Sequence, residues 1–292
     1  MFRKPTTTTT SNEDAVNLAL ATIREEFTVM PRFCFHQPLD YHEVTLPPEI
    51  GELAIDPASK LPIPSPFYRF GYSPDNTEHY LSWGKYDYHL LLEVVRTHLG
   101  YEDGLSILDL GCSTGRVLRH FQANWESSQW ILHGCDIQAL AIHWMRQCFP
   151  DHFVVTTTST LPHLPFADNT FDFIYGISVF THIKFLWDAW LLELRRILRP
   201  GGVMVQTIHA ETAWNFYFVH QNEDWVRASQ PSRVYKNETM DVDFLHFGDI
   251  AVSQVFWRKD VAVKYWGRYF KIVETRPPPL HSFQDWIICC KL

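Results

Sequence analysis

Long apolar runs are missing from this chain of 292 residues. No stretch reaches the roughly eighteen consecutive apolar residues that a transmembrane helix requires, so none is expected. The opening segment, "MFRKPTTTTTSNEDAVN", carries basic side chains with no apolar segment behind them, so a signal peptide is not expected either. Cysteine is scarce and unpatterned. The six residues Cys34, Cys112, Cys135, Cys148, Cys289 and Cys290 make no CxxC or Cys/His array, which argues against a zinc site or a disulfide framework. They read as reduced, mostly buried small hydrophobes in a cytoplasmic protein. Positive charge is in deficit as well: 25 basic against 33 acidic residues leave a net charge of −8. That balance is wrong for a general nucleic-acid binder or an anionic-membrane binder. No nucleic acid, membrane or metal partner is therefore expected.

Aromatic residues are in excess instead, with 11 Trp, 12 Tyr and 21 Phe. Most belong in a core, and a surplus of this size also suits a pocket that grips an apolar or planar ligand.

The chain divides by composition. Residues 1–12 are polar and threonine-rich and are expected to be disordered. Residues 13–84 read as an N-terminal extension that packs on the core or acts as a lid. It opens with a helix over Glu13–Phe27, where Val16, Leu20, Ile23 and Phe27 recur at helical spacing. From Pro31 to Pro74 the prolines rule out helix interiors and central strands, while Ile50, Leu53, Leu61, Phe67 and Tyr68 favour docking over free movement. A helix is expected over Lys85–Gly100. The period then changes. "LSILDLG", "QWILHGCD", "HFVVTTT", "FDFIYGISV" and "VMVQTIH" read as strands, and helical segments separate most of them. That alternation calls for a parallel sheet covered on both faces. The last two strands, with no helix between them, read as a hairpin.

The stretch "ILDLGCSTGR" (Ile107–Arg116) runs from a strand into a glycine turn. Open parallel sheets bind ligands at such turns, beyond the C-terminal ends of strands, where strand order reverses. A dinucleotide loop needs G-x-G-x-x-G, and Gly111-Cys112-Ser113-Thr114-Gly115 lacks it. The loop Asp-x-Gly-x-x-x-Gly instead resembles the first motif of class I S-adenosylmethionine-dependent methyltransferases. "HGCDIQ" places Asp136 at the end of the next strand, where a carboxylate accepts both ribose hydroxyls of an adenosine. "LPFADNTFDFIYGISVFTHI" (Leu164–Ile183) and "ELRRILRPGG" (Glu193–Gly202) resemble the family's fourth-strand region and the turn before its fifth. Together these pieces span roughly 105–209.

The resemblance implies a Rossmann-like α/β fold. Its sheet would be seven-stranded and mostly parallel, with helices on both faces and a C-terminal antiparallel hairpin strand, and the N-terminal extension would precede it. Residues 85–292 would form the methyltransferase domain, with 210–247 as a substrate-lid insert. The implied cofactor is S-adenosyl-L-methionine, held by Asp109, Gly111, Cys112, Ser113, Gly115, Asp136, Ile137, Thr160, Leu161 and Ser178. Two departures stand out. Ser113 occupies the family's middle glycine position. The acidic residue that often meets the adenine amino group is replaced near Thr160 by hydroxyls.

On the acceptor side, His209 closes the fifth strand and His182 follows the fourth. A His-x-x-Gln-Asp group near the C-terminus supplies His281, Gln284 and Asp285, as in small-molecule enzymes of this class. Asp285 beside His281 or His209 would make a base with its orienting carboxylate. Tyr68, Arg69, Trp214, Tyr217 and Gln284 are the expected substrate contacts, and Arg227 and Arg233 are further candidates for holding an anionic group. The expected reaction is methylation of a small molecule such as a natural product or sugar, by a monomer or homodimer. Oxygen is favoured over nitrogen or carbon as the nucleophile. N- or C-methylation and a non-catalytic partner of the same fold are the competing readings.

Overall fold

The computed structural model describes residues 50–69, 75–220, 239–247 and 253–292. The threonine-rich tail, the helix expected over 13–27, and Arg227 and Arg233 lie outside the described residues.

Nine strands and six α-helices follow in chain order among the described residues. They are α1 (Thr77–His98), β1 (Ser106–Leu110), α2 (Gln122–Ser128), β2 (Ile131–Asp136), α3 (Ala139–Cys148), β3 (Phe153–Thr157), β4 (Phe171–Gly176) and α4 (Trp187–Ile197). After these come β5 (Leu198–Ile208), α5 (Glu211–Trp214), β6 (Phe244–Phe247), β7 (Gln254–Trp257), α6 (Lys259–Trp266), β8 (Lys271–Arg276) and β9 (Asp285–Cys290). Seven strands make one sheet in the order β3-β2-β1-β4-β5-β9-β8. The first five run parallel, and β9 pairs antiparallel with both β5 and β8. The sheet therefore has the expected mostly parallel form with a C-terminal antiparallel hairpin.

Both sheet faces are buried, so the central strands are continuous apolar runs rather than alternating ones. Every residue of β1 and β4 is buried. Ile107, Phe173, Tyr175, Val203, Val205 and Ile288 face one core, with Leu91, Val95 and Trp144 from α1 and α3. Leu108, Ile174, Met204 and Ile287 face the other, with Trp190, Leu194 and Trp266 from α4 and α6. The Glu-Leu-Arg-Arg segment of α4 has a structural cause. Glu193 Oε1 accepts the Leu164 amide at 2.6 Å, and Arg196 donates to the Leu164 carbonyl at 3.1 Å and to Glu193 at 2.6 Å. This pair staples α4 to the segment that leads into β4.

Three elements differ from expectation. α1 begins at Thr77 rather than Lys85, because the Asn76 side chain accepts the His79 amide at 2.9 Å and caps the helix there. Gly84 lies inside that helix because a Cβ there would stand 2.2 Å from the Arg116 carbonyl oxygen. The helix expected after the glycine loop starts late: a 3₁₀ turn over Leu118–Phe121 precedes α2. Finally, β6 and β7 pair antiparallel as a separate ribbon that the sequence did not announce. This ribbon is tied to the main sheet by Val255 N–H donating to the Thr181 carbonyl (2.8 Å) and Trp257 N–H to the His209 carbonyl (2.8 Å). No helix among the described residues is long and apolar enough to cross a membrane.

Candidate cofactor and acceptor site

Strand order reverses between β1 and β4, and Asp109, the Gly111–Gly115 loop and Asp136 stand at that crevice. The Gly111 and Cys112 amides both donate to the Cys135 carbonyl, at 2.7 and 3.1 Å, folding the loop onto the end of β2. Gly111 and Gly115 have φ of +77° and +72°, a region that costs glycine nothing. Ser113 also has positive φ, +46°, which costs a non-glycine residue about 1 kcal/mol or more. Its amide donates to Asp136 Oδ2 at 2.7 Å, a charge-assisted bond strong enough to offset that strain. The serine in place of glycine is thus anchored by the very carboxylate the site needs.

Asp136 is buried, and its Oδ1 accepts the Gln138 amide at 2.8 Å. Burial raises its pKa while the amides of Gln138, Ser113 and Ile137 lower it. Each carboxylate oxygen keeps lone-pair capacity for a further donor. Asp109 is buried at the end of β1, opposite Tyr175 of β4. Burial pushes its pKa up to about 7, opposed by the Tyr175 hydroxyl and Arg116, with Asp136 and Asp87 adding to the rise. Beyond β3, the Thr158 amide donates to the Asp136 carbonyl at 2.9 Å, and Ser159 Oγ accepts the Leu161 amide at 3.2 Å. Ser159 is buried, Ile137 and Thr160 are half-buried, and Leu161 is exposed at the lip.

A second set of polar groups links the ends of β4, β5 and β9. The Ser178 amide donates to Thr207 Oγ1 at 2.7 Å, and that hydroxyl donates to Gln284 Oε1 at 2.6 Å. Gln284 Nε2 donates to Ser178 Oγ at 2.7 Å and lies 3.5 Å from His209 Nε2. Around His209 stand the rings of Tyr217, Phe256 and Phe283, at 5.4, 5.2 and 5.4 Å between centroids. Burial holds the His209 pKa well below 6.5, and nearby His182 lowers it further. The imidazole is therefore neutral at physiological pH. Since Gln284 commits its oxygen to Thr207, its amine group faces His209, which makes Nε2 the acceptor and leaves the ring hydrogen on Nδ1.

The family described as a methyltransferase domain matches residues 108–206, which run from β1 through most of β5 and include Asp109, the glycine loop, Asp136 and Ser178. Residues 108–206, about a third of the chain, are thus similar to methyltransferase domains. The cofactor is S-adenosyl-L-methionine. Among curated relatives, the domain is 29% identical over 143 residues to a sterol 24-C-methyltransferase of Schizosaccharomyces pombe, covering 48% of this chain and 34% of that protein. It is 34% identical over 110 residues to a ubiquinone/menaquinone biosynthesis C-methyltransferase of Cupriavidus pinatubonensis, covering 35% of this chain and 42% of that one. The chain thus spans well under half the length of these relatives. A solved protein structure from Pyrococcus horikoshii shares the fold, with a TM-score of 0.51 at 15% identity over 77% of this chain and 98% of that chain.

Within the methyltransferase domain, several expected partnerships are not made. Asp285 meets neither histidine. It faces the opposite side of β9 from Gln284 and pairs with Lys259 Nζ at 2.7 Å, because strand residues alternate faces. His281 finds a different carboxylate: its Nε2 lies 3.0 Å from Asp87 Oδ1, and Asp87 Oδ2 pairs with Arg116 at 2.8 Å. His182 Nδ1 lies 2.6 Å from the Ser253 carbonyl, a tie to the segment entering β7. Tyr68 and Arg69 make no described contact with the His209 cage. Tyr68 packs with the first core, 6.1 Å from Trp144 of α3, and Arg69 donates to the Pro64 carbonyl. Trp214 stacks on Phe218 at 4.1 Å in the core behind the cage, while Tyr217 lines the cage itself.

Thr207, Phe256 and Phe283 belong to the cage and its polar network but were not singled out from the sequence. Thr207 had a usable signal, a hydroxyl two positions before a strand-end histidine. Asp87 had one too, a charge on the apolar side of α1.

Asp109 makes the stability of the ligand-free domain pH-dependent. Its pKa rises from 3.8 in the unfolded chain to about 7. The unfolded state therefore loses its proton first, and stability falls as pH rises between those values, then levels off. Asp109→Asn is expected to remove that fall, on the order of 4 kcal/mol, in urea unfolding followed from pH 4 to 8. A variant profile parallel to the wild type would contradict this.

Proposed function

We propose that the domain methylates a small, apolar or planar acceptor on oxygen. Its own residues suit the cofactor: two buried carboxylates end adjacent strands, and the loop between them offers the close backbone that a ligand without phosphate requires. In this reading Asp136 accepts the ribose hydroxyls, and the loop from Gly111 to Gly115, with Asp109 behind it, positions the amino-acid end. Ile137, Thr160 and Leu161 border the adenine, and Ser178 stands at the β4 end.

The observation that carries the proposal is the neutral His209 inside an aromatic cage. When bound, S-adenosylmethionine supplies an electrophilic methyl group on a sulfonium. The rings of Tyr217, Phe256 and Phe283 exclude water and hold a flat or apolar acceptor. His209 Nε2, held only weakly by Gln284 at 3.5 Å, takes the hydroxyl proton as the acceptor oxygen attacks. The Ser178–Thr207–Gln284 network keeps the ring oriented.

Carbon methylation is the second reading, favoured by the two C-methyltransferases among the relatives. Incubation with methyl-labelled donor and phenols, quinols, fatty acids and sterols tests the choice. Label in a methyl ether or ester supports the proposal, and label on carbon supports the second reading. Absence of transfer to any of them by protein that binds the donor would overturn both.

A further inference from the structure

Arg69 and Arg119 are 4% and 0% exposed, and neither pairs with a carboxylate among the described residues. Arg69 Nε donates to the Pro64 carbonyl at 2.8 Å, and Arg119 Nε to the Gly115 carbonyl at 3.2 Å. Beyond those bonds, Arg69 Nη1 and both terminal nitrogens of Arg119 have no hydrogen-bond partner among the described residues. The two guanidinium groups lie 5.2 and 5.5 Å from the centroid of the same ring, Tyr80. They are near enough to repel each other: burial lowers the Arg69 pKa, and Arg119 lowers it further. Asp56 exerts an attraction on Arg119, but its oxygens are already engaged by the amides of Ala58 and Ser59 and by the Ser59 hydroxyl.

Two buried like charges that share one ring are costly to fold without a counter-charge. Buried donors left unpaired are rare in native proteins. Three such donors on planar forks match an acceptor with several oxygens on one centre. We propose that Arg69 and Arg119 bind a compact oxyanion of the phosphate class, at a site separate from the cofactor and acceptor crevice. The site touches the cofactor loop from behind, since Arg119 holds the Gly115 carbonyl and the Tyr80 hydroxyl meets Thr114 Oγ1 at 2.9 Å. An anion there steadies the loop and tightens cofactor binding. The anion site does not depend on the methyl-transfer reading.

The test is thermal unfolding of the full chain in inorganic phosphate against sodium chloride at matched ionic strength. Wild type is expected to gain about 2–3 °C at a phosphate concentration roughly ten times its Kd. Arg119→Met and Arg69→Met are expected to lose that gain. In phosphate-free buffer Arg119→Met should melt at or above the wild-type temperature, because an unpaired buried charge has been removed. The proposal is overturned by a wild type indifferent to phosphate. It is also overturned if Arg119→Met melts far lower without phosphate, which would mean the guanidinium is paired within the chain. Loss of S-adenosylhomocysteine binding in Arg119→Met, with no phosphate effect in wild type, would overturn it as well, assigning the pair to the cofactor's own carboxylate.

Discussion

Asp136→Ala lowers the affinity for S-adenosylhomocysteine by about 100-fold or more, read by calorimetric titration, because two charge-assisted hydrogen bonds are lost together. The buried carboxylate serves two masters. It accepts the amides of Ser113 and Gln138 within the protein, and in the proposed complex it accepts the two ribose hydroxyls. Alanine therefore removes ligand contacts and also releases Ser113 from the bond that offsets its left-handed backbone. Asp136→Asn separates the two effects. Its amide oxygen still accepts a backbone N–H, but it cannot accept from both hydroxyls. An intermediate loss is expected for asparagine, with the melting temperature nearer to wild type. Wild-type affinity in folded Asp136→Ala protein would remove this residue from the cofactor site.

The second large effect belongs to His209. His209→Phe keeps a ring among Tyr217, Phe256 and Phe283 but removes Nε2, so kcat is expected to fall about 10²- to 10⁴-fold while S-adenosylhomocysteine binding stays unchanged. The pH profile supplies a second reading of the same residue. A base must be neutral to take a proton, and burial holds this imidazole neutral well below pH 6.5. The acid limb of kcat/KM is therefore expected well below that pH and absent from the variant. Full activity in His209→Phe would show that the histidine only fills the cage.

The sheet and the cofactor loop were legible in the sequence for a common reason. Their signals are local: each parallel strand is a short apolar run because both faces are covered, and a glycine turn with an acid before it needs only seven residues to be seen. What stayed hidden depends on contacts between distant segments. Asp285 seemed a partner for a histidine, but strand alternation turns it toward Lys259. His281 found Asp87, almost two hundred positions away, because α1 lies against the turn before β9. The β6–β7 ribbon was missed although Gly248 and Asp249 follow its first strand in the sequence, and its antiparallel pairing defines it. Tyr68 and Arg69 were drawn to the acceptor by their chemistry, yet the segment that Pro64 and Pro66 lead into places Tyr68 against α3 instead.

The ligand that occupies the crevice between β1 and β4 is the central point. Calorimetric titration of the full chain with S-adenosylhomocysteine, alongside NADH, decides it. One saturable site for S-adenosylhomocysteine and none for NADH is the predicted result. No binding of S-adenosylhomocysteine to folded protein, or equal binding of NADH, would contradict it.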